Sequence, residues 1–324
     1  MERYQRLEAL GEGAFGVVCK ALDRKTNEIV AVKRMKDDHG SFKECMNLIE
    51  VKSLLEMNNH PNIIKLKEIH KKGDILYLIF EYMECSLYDR LKNQTEYFSE
   101  TQIKSMCFQL FQGLAYAHAK GYIHRDLKPG NILVSKDVIK ICDFGQAREI
   151  DDKIPFTDYV TTRWYRAPEV ILGQDIYDFS VDMWAMGTIM VELYNRKPLF
   201  DCESGQAVLC KICKVIGTPT ESTWKYGIKL ASEKGFEFPK FSGVKLSELV
   251  PTASPEAVDL IGTLLSWNPH KRGTAMEVLI HPFFKSCRDV LRSELRHERS
   301  LKRRKCDENE DDLKRRIEAY WFDY

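Results

Sequence analysis

The chain has 324 residues and a formal net charge of +1 at pH 7, so no overall electrostatic field favours nucleic acid or an anionic membrane surface. Hydrophobic residues make up 44% and charged residues 30% of the chain, which is typical of a globular protein of about two domains. The longest apolar stretch, residues 181–193, contains Asp182 and Glu192 and is shorter than the roughly 20 residues of a membrane-spanning helix. We therefore expect a monomeric protein that binds neither nucleic acid nor membrane.

The ten cysteines are scattered along the chain, and only Cys210 and Cys213 form a C-x-x-C pair. Because no second pair or histidine lies near them in the sequence, buried reduced thiols are favoured over a zinc site. Residues 1–6 are polar and lack the apolar segment of a signal peptide. These features favour the reducing cytoplasm. The basic run 302–305 is a candidate signal for import into the nucleus.

The first 80 residues predict a small lobe that is rich in strands. A turn over 23–27 precedes an alternating segment in which Ile29, Ala31 and Lys33 share one face. Residues 41–57 predict one helix, which Ser41 and Glu44 open with capping-box spacing. The predicted strands of this lobe after the turn are 28–35, 62–69 and 74–80.

The remainder predicts a larger, mainly helical lobe over 87–285, joined to the first by a connection at 81–86. Ser99 and Gln102 open a helix whose apolar residues recur with a period of about 3.6 residues. Residues 181–193 are apolar nearly all round, which predicts a core helix. Beyond the lobe, 286–324 predict a charged helical tail with i,i+4 ion pairs and an aromatic end.

A G-x-G-x-x-G motif lies between the first two predicted strands, at Gly11, Gly13 and Gly16. The same spacing occurs in dinucleotide-binding turns, but there the last glycine opens a helix. Here a strand follows, which favours a flap whose backbone N–H groups approach phosphates, with an ordinary hairpin as the alternative. Lys33 on the next strand requires an anion because burying its charge alone is costly. ATP phosphates and Glu50 could supply it, and Glu44 and Glu56 are alternative carboxylates.

Two segments carry the groups that metal-assisted phosphoryl transfer from ATP requires. The first is 124–131 (HRDLKPGN) and the second is 143–145 (DFG), with a predicted hairpin between them. Asp126 would accept the proton of an attacking hydroxyl, and Lys128 would neutralise the transferring group. Asn131 and Asp143 are hard oxygen ligands suited to Mg²⁺. Alone, each segment could be a surface ion-pair cluster or a turn, but together at this spacing they predict a catalytic site.

These motifs, followed by Ala167-Pro168-Glu169, resemble those of eukaryotic protein kinases over residues 4 to about 285. The resemblance implies an α+β, two-lobed kinase fold, with a small antiparallel-sheet lobe carrying one helix and a larger helical lobe. The pair Lys128-Pro129 after Asp126 resembles the residues that serine/threonine kinases have at this place. The run 157–169 resembles the CMGC group of MAP kinases and cyclin-dependent kinases. Thr-Asp-Tyr at 157–159 with Glu-Cys-Met-Asn-Leu at 44–48 most resembles its MAP-kinase-like MAK/MOK (RCK) branch.

The resemblance also assigns site residues. It implies that Phe80 is the gatekeeper of the ATP pocket and that the backbones of Glu81 and Met83 bind adenine. It further implies that Asp182 braces the catalytic loop and Arg272 pairs with Glu169. Thr162 would bridge Asp126 and Lys128. The flap over the phosphates comprises Gly11, Glu12, Gly13, Ala14, Phe15 and Gly16, and the residues on either side of the adenine ring are Leu10, Val18, Ala31 and Leu133.

The resemblance implies protein substrates phosphorylated on Ser or Thr before proline, with Arg163 shaping that pocket, and an upstream kinase that phosphorylates Thr157 and Tyr159. A phosphate on Thr157 adds charge that Arg125 and Arg148 could bind. Related kinases usually supply a third arginine before the helix glutamate, where this chain has Ile49, so activation should depend less on phosphate. The chain also departs from related kinases at Gly130 and Gln146. The alternatives are a cyclin-type kinase that needs a regulatory subunit and a weakly active scaffold.

Overall fold

A computed structural model describes residues 1–13, 16–36, 41–150, 163–174 and 177–291. Within these ranges no helix is both long and apolar enough to cross a membrane. The predicted charged tail lies outside the described residues from 292 onward. The chain forms the predicted α+β, two-lobed arrangement, so the predicted fold class is confirmed.

The smaller lobe is built on a five-stranded antiparallel sheet. Its strands are β1 (Tyr4–Glu12), β2 (Gly16–Asp23), β3 (Glu28–Met35), β4 (Leu66–Lys72) and β5 (Ile75–Glu81). The order across the sheet is β1-β2-β3-β5-β4. One face carries a small separate core that includes Val30, Val32 and Ile79. The opposite face therefore looks toward the other lobe.

The strand predicted over 62–69 begins only at Leu66. The residues before it pair instead with the larger lobe, because Ile64 donates its N–H to the carbonyl of Ile141 and Ile141 donates to that of Asn62. Part of the apolar segment predicted as one strand thus ties the two lobes together.

The single helix predicted over 41–57 is wrong in extent, because the structure divides it into α1 (Phe42–Met46) and α2 (Ile49–Glu56). The predicted capping box of Ser41 and Glu44 is present at the start of α1. Leu48 interrupts the helix with an extended backbone (ψ 133°), and its side chain packs against the main core. Tertiary packing of this apolar side chain outweighs the helical pattern.

The larger lobe contains two small antiparallel sheets, one of three strands and one of two, together with a set of helices. The short strands are β6 (Cys85–Ser86), β7 (Tyr122–Ile123), β8 (Ile132–Ser135), β9 (Val138–Ile141) and β10 (Arg148–Glu149). The helices of the described residues are α3 (Leu87–Asn93), α4 (Glu100–Ala119), α5 (Pro168–Ile171), α6 (Ser180–Asn195), α7 (Gly205–Ile216), α8 (Glu221–Glu233), α9 (Leu246–Leu249), α10 (Pro255–Leu264) and α11 (Ala275–Leu279). Short 3-10 turns lie at Pro129–Asn131, Phe144–Gln146, Pro269–Lys271 and Pro282–Phe284.

The predicted core helix is α6, which is buried along nearly its whole length. The helix opened by Ser99 and Gln102 is α4, and its capping box is formed as predicted. The segment after α7 packs onto the same lobe through aromatic rings. There the indole of Trp224 stacks on that of Trp267 with ring centroids 5.6 Å apart.

A buried ion pair joins α5 to the chain after α10. The two terminal guanidinium nitrogens of Arg272 donate to the carboxylate of Glu169, at 2.6 and 2.8 Å. Arg272 also donates to the carbonyls of Ser180 and Ser266, and its guanidinium lies over the ring of Trp184. Arg272 is fully buried and Glu169 is 1% exposed. The predicted pairing is therefore present, with each charge neutralised inside the core.

We expect Arg272→Met to lower the free energy of unfolding by about 3–5 kcal/mol, because it leaves the Glu169 carboxylate buried without its partner. Chemical denaturation of the variant would measure this loss. The control is Lys229→Met, which removes an exposed ion pair with Glu233 at 3.7 Å and should cost less than about 1 kcal/mol. Equal losses of unfolding free energy in the two variants would contradict a stabilising role of the buried Arg272–Glu169 ion pair.

Candidate active site

Lys33 and Glu50 form a buried ion pair between β3 and α2. The ammonium nitrogen of Lys33 donates to both carboxylate oxygens of Glu50, at 2.6 and 2.8 Å. Burial alone would lower the pKa of Lys33, but the carboxylates of Glu50 and Asp143 outweigh that cost and raise the pKa. Of the three candidate carboxylates, Glu50 is thus the partner, whereas Glu44 caps α1. Lys33 remains charged and directed into the cleft between the lobes.

Asp143 brings the larger lobe to the same ammonium group. Its Oδ1 lies 3.3 Å from the Nζ of Lys33. Its backbone is left-handed (φ 61°), a conformation in which Asp is one of the more tolerated residues. The next residue, Phe144, is fully buried with its ring edge-to-face on His124, at a centroid distance of 4.9 Å. This packing of Phe144 holds the Asp143 carboxylate toward Lys33.

The catalytic loop is organised around Asp126. Its Oδ2 accepts hydrogen bonds from Lys128 Nζ at 2.6 Å and from Asn131 Nδ2 at 2.9 Å. Asn131 Nδ2 also donates to the backbone carbonyl of Asp126 at 2.8 Å. The three side chains therefore form one cluster, as the sequence predicts.

Asp182 at the start of α6 braces this loop from below. Its carboxylate accepts the backbone N–H groups of His124 and Arg125, at 2.8 and 2.9 Å, and contacts His118 Nε2 at 2.9 Å. Burial would raise the pKa of Asp182, but these hydrogen bonds outweigh it and lower the pKa. Arg125 is held in a left-handed conformation (φ 70°). The buried carboxylate of Asp182 thus stabilises a left-handed backbone conformation at Arg125, which residues other than glycine rarely adopt.

Asn131 and Asp143 lie next to each other at the base of the β8–β9 hairpin. The N–H of Cys142 donates to the carbonyl of Asn131 at 3.0 Å, which places Asp143 one residue from that contact. The amide nitrogen of Asn131 is bonded to Asp126, so its amide oxygen is the atom suited to a metal. One carboxylate and one amide oxygen fit Mg²⁺, which completes its shell with water and phosphate oxygens.

The strand register places four predicted nucleotide-binding residues on one face of the sheet. Val18 lies opposite Lys33, and Ala31, two residues before Lys33, lies opposite Phe80. Side chains directly opposite one another, or two residues apart, share a face. Leu133 lies on β8 opposite Ser86, the last residue of the connection between the lobes. These residues therefore line the cleft from above and below.

In the connection itself, Met83 is buried, and the N–H of Glu81 donates to the carbonyl of Lys65. Leu10 is exposed at the end of β1. Their contacts with adenine stay predictions.

The strands β1 and β2 flank the glycine motif and pair with each other in antiparallel fashion. The N–H of Gly13 donates to the carbonyl of Gly16 at 2.9 Å. A side chain at Gly16 would bring its Cβ within 2.5 Å of the carbonyl of Arg34, so this position requires glycine. Glu12 forms an ion pair with Lys36 at 2.7 Å. The strand that follows excludes the turn into a helix, and the flap over phosphates stays a prediction.

Several predicted residues lie outside the described ranges, namely Ala14, Phe15, Thr157, Tyr159 and Thr162. Their roles stay predictions. The predicted phosphate ligand Arg125 donates from Nε to the hydroxyl of Tyr177 at 2.9 Å and from Nη1 to the carbonyl of Gln146 at 3.3 Å. Tyr177 has no motif around it, so the sequence analysis did not identify it.

Of the two departures from related kinases, the structure shows a contact for Gln146 but gives no reason for the glycine at position 130. Gln146 ends the 3-10 turn that begins at Phe144, and its carbonyl is the acceptor for Arg125. At Gly130 an added Cβ would meet only the Cε of Lys128, at 4.0 Å. The site could hold a side chain there, and nothing in the structure explains the glycine.

Tyr165 and Glu192 anchor the segment before α5, and neither was identified from the sequence. The hydroxyl of Tyr165 donates to Glu192 Oε2 at 2.8 Å, and both side chains are buried. Burial raises the pKa of Glu192 to about 7, although the hydrogen bond from Tyr165 acts in the opposite direction. The carboxyl group is therefore protonated in the folded protein under mildly acidic conditions.

This raised pKa predicts a pH-dependent stability. The folded state holds the Glu192 proton more tightly than the unfolded chain does, so the stabilisation is complete below pH 4.5 and is lost as the pH rises to about 7. The loss should total about 3 kcal/mol at most. We expect Glu192→Gln to flatten the dependence of unfolding free energy on pH over that window, measured by denaturation at several pH values. If the slope of unfolding free energy against pH is unchanged in Glu192→Gln, the pH dependence does not come from Glu192.

Comparisons with known proteins agree with this geometry. The protein kinase domain family matches residues 4–284. Cyclin-dependent kinase F-4 of Oryza sativa subsp. japonica is 54% identical over 287 residues, which cover 89% of this chain and 62% of that protein. Serine/threonine-protein kinase MAK of Homo sapiens is 47% identical over 285 residues, covering 88% and 46% of the two chains. Serine/threonine-protein kinase ICK of Mus musculus is 46% identical, covering 88% and 45%.

The predicted family and its MAK-like branch are thereby confirmed. The chain spans less than two thirds of the length of these relatives, at 62%, 46% and 45%.

Proposed function

Because the chain belongs to the protein kinase family, we propose that it is a serine/threonine protein kinase of the CMGC group that transfers the terminal phosphoryl group of ATP to a protein hydroxyl. One observation carries this proposal. Lys33, Glu50 and Asp143 meet across the cleft. Asp126 forms a cluster with Lys128 and Asn131, and the carbonyl of Asn131 accepts from Cys142, the residue before Asp143.

The reaction assigns a task to each group. Asp126 accepts the proton of the substrate hydroxyl and directs its oxygen toward the terminal phosphorus. A new P–O bond forms to that oxygen as the bond to the ADP oxygen breaks. Lys128, already 2.6 Å from Asp126, neutralises charge on the phosphoryl group in transit. Lys33 holds the phosphates that remain on ADP, and Glu50 keeps the Lys33 ammonium in place.

Asn131 and Asp143 would hold Mg²⁺. When bound, this ion neutralises the phosphate oxygens and orients ATP. The choice of Mg²⁺ rests on the hard amide and carboxylate oxygens of these two residues.

The first alternative is a weakly active scaffold, and the second is an enzyme that requires a cyclin-like subunit. The presence of all the catalytic groups supports activity over the scaffold. A relative is named a cyclin-dependent kinase, but the Lys33–Glu50 pair is formed here within a single chain. This supports a kinase that needs no added subunit to position Glu50.

We propose protein substrates, phosphorylated at Ser or Thr followed by proline, and activation by an upstream kinase at Thr157 and Tyr159. The support is the Thr-Asp-Tyr and Arg-Trp-Tyr-Arg-Ala-Pro-Glu run of the chain and its likeness to MAK and ICK. The monomeric state and the cytoplasmic location, with import into the nucleus through 302–305, stay predictions.

Asp126→Asn should reduce phosphate incorporation into a basic protein substrate at least about 100-fold, because the general base is lost while the shape is kept. The melting temperature should change little. Asp137→Asn, on the exposed turn between β8 and β9, is the matched control and should retain full activity. Substantial activity in Asp126→Asn would overturn the assignment of the base.

A degenerate peptide array should show a preference of about tenfold for proline directly after the acceptor residue. Proline carries no N–H, so a pocket without an acceptor favours it over residues that would bury an unpaired donor. Radiolabelled ATP and matched Ser-Pro and Ser-Ala peptides would quantify the ratio. A ratio near one would contradict the proposed preference for proline, but it would not contradict the proposed kinase activity.

A further inference from the structure

The helix that carries Glu50 is short and has weak ends. α2 has eight residues, and its N-cap residue Leu48 makes no side-chain capping bond. A helix of this length draws its stability from tertiary contacts rather than from its own backbone. The position of Glu50 therefore depends on whatever holds α2 against the rest of the molecule.

A second ion pair holds α2 on its outer side. The Nζ of Lys52 lies 2.5 Å from Oε1 of Glu149 on β10, and the two side chains are 46% and 43% exposed. β10 pairs with β7, where Glu149 lies opposite Tyr122. Lys52 thus links α2 to a two-stranded ribbon of the larger lobe.

Tyr122 joins the same contact from inside. It is 1% exposed, and the pKa of its hydroxyl is raised first by burial and then by hydrogen bonds with the carboxylates of Glu56 and Glu149. Glu56 is the last residue of α2. We name Lys52, Glu56, Tyr122 and Glu149 the helix clamp.

The clamp sits between the two catalytic segments. β7 continues directly into His124, Arg125 and Asp126, while β10 follows the turn of Phe144. α2 also packs against that turn. A ribbon connected to both segments therefore fixes the orientation of the helix whose inner face presents Glu50 to Lys33.

Lys52 is the one lysine of α2, and its ammonium group is paired with Glu149. We propose that Lys52 and Glu149 are positioning residues that hold α2 so that Glu50 stays against Lys33. This inference rests on the proposed kinase function.

The test compares the wild-type protein with its variants, using ATP, Mg²⁺ and a basic protein substrate. We expect Lys52→Ala to lower kcat about three- to fivefold, in line with the strength of an exposed ion pair. KM for ATP should change less than kcat. The charge-exchanged double variant Lys52→Glu/Glu149→Lys should recover kcat to within about twofold of the wild type.

The matched control is the Lys67–Glu28 pair, which has a similar length of 2.6 Å and joins two strands of the small lobe. Lys67→Ala should leave kcat unchanged. An equal fall in Lys67→Ala, no fall in Lys52→Ala, or no recovery in the exchanged variant would overturn the positioning role.

Hydrogen exchange separates this proposal from the proposed function. Faster amide exchange in α2 of Lys52→Ala, but not of Lys67→Ala, is expected whether or not the protein phosphorylates the chosen substrate. Unchanged exchange in α2 overturns the clamp. Failure of the wild-type protein to incorporate phosphate, with α2 exchange still sensitive to Lys52, overturns the proposed function alone.

Discussion

The contact on which the site depends is the meeting of Lys33 with two carboxylates, Glu50 and Asp143. Burying these charges is costly, and only close pairing repays the cost. The three groups come from a strand, a short helix and a turn of the opposite lobe. Their charges sum to −1, so the cleft still favours a cation. A metal ion held by Asp143 would supply it.

The catalytic loop depends in turn on polar groups buried beneath it. Asp182 holds the backbone of His124 and Arg125 from the start of α6. The neighbouring residue Ser180 accepts from Arg272, which neutralises Glu169. One core helix therefore positions both the loop that bears Asp126 and the segment that ends at Glu169. The buried charges act here as a scaffold for geometry more than as a source of stability.

Much of the fold and the site could be predicted because their signals are local. The glycine hairpin, the alternation around Lys33 and the apolar character of α6 each follow from adjacent residues. The catalytic groups could be assigned because their chemistry and order in the chain restrict them to one arrangement. Glu50 could be narrowed only to three carboxylates, since helix periodicity does not say which face meets Lys33.

The contacts that escaped prediction join residues far apart in the chain. Tyr177 meets Arg125, Glu192 meets Tyr165, and Lys52 meets Glu149. No local pattern marks such pairs, because only the folded chain brings them together. The break at Leu48 had the same cause, since the core contact that interrupts the helix is not visible in its periodicity.

The most direct test of the account is a crystal structure of the protein with a non-hydrolysable ATP analogue and Mg²⁺. We expect the phosphates to contact Lys33 while Lys33 keeps Glu50, the metal to bind oxygens of Asn131 and Asp143, and Asp126 to face the terminal phosphate. A nucleotide bound with its phosphates away from Lys33, or a metal bound without Asp143, would contradict it.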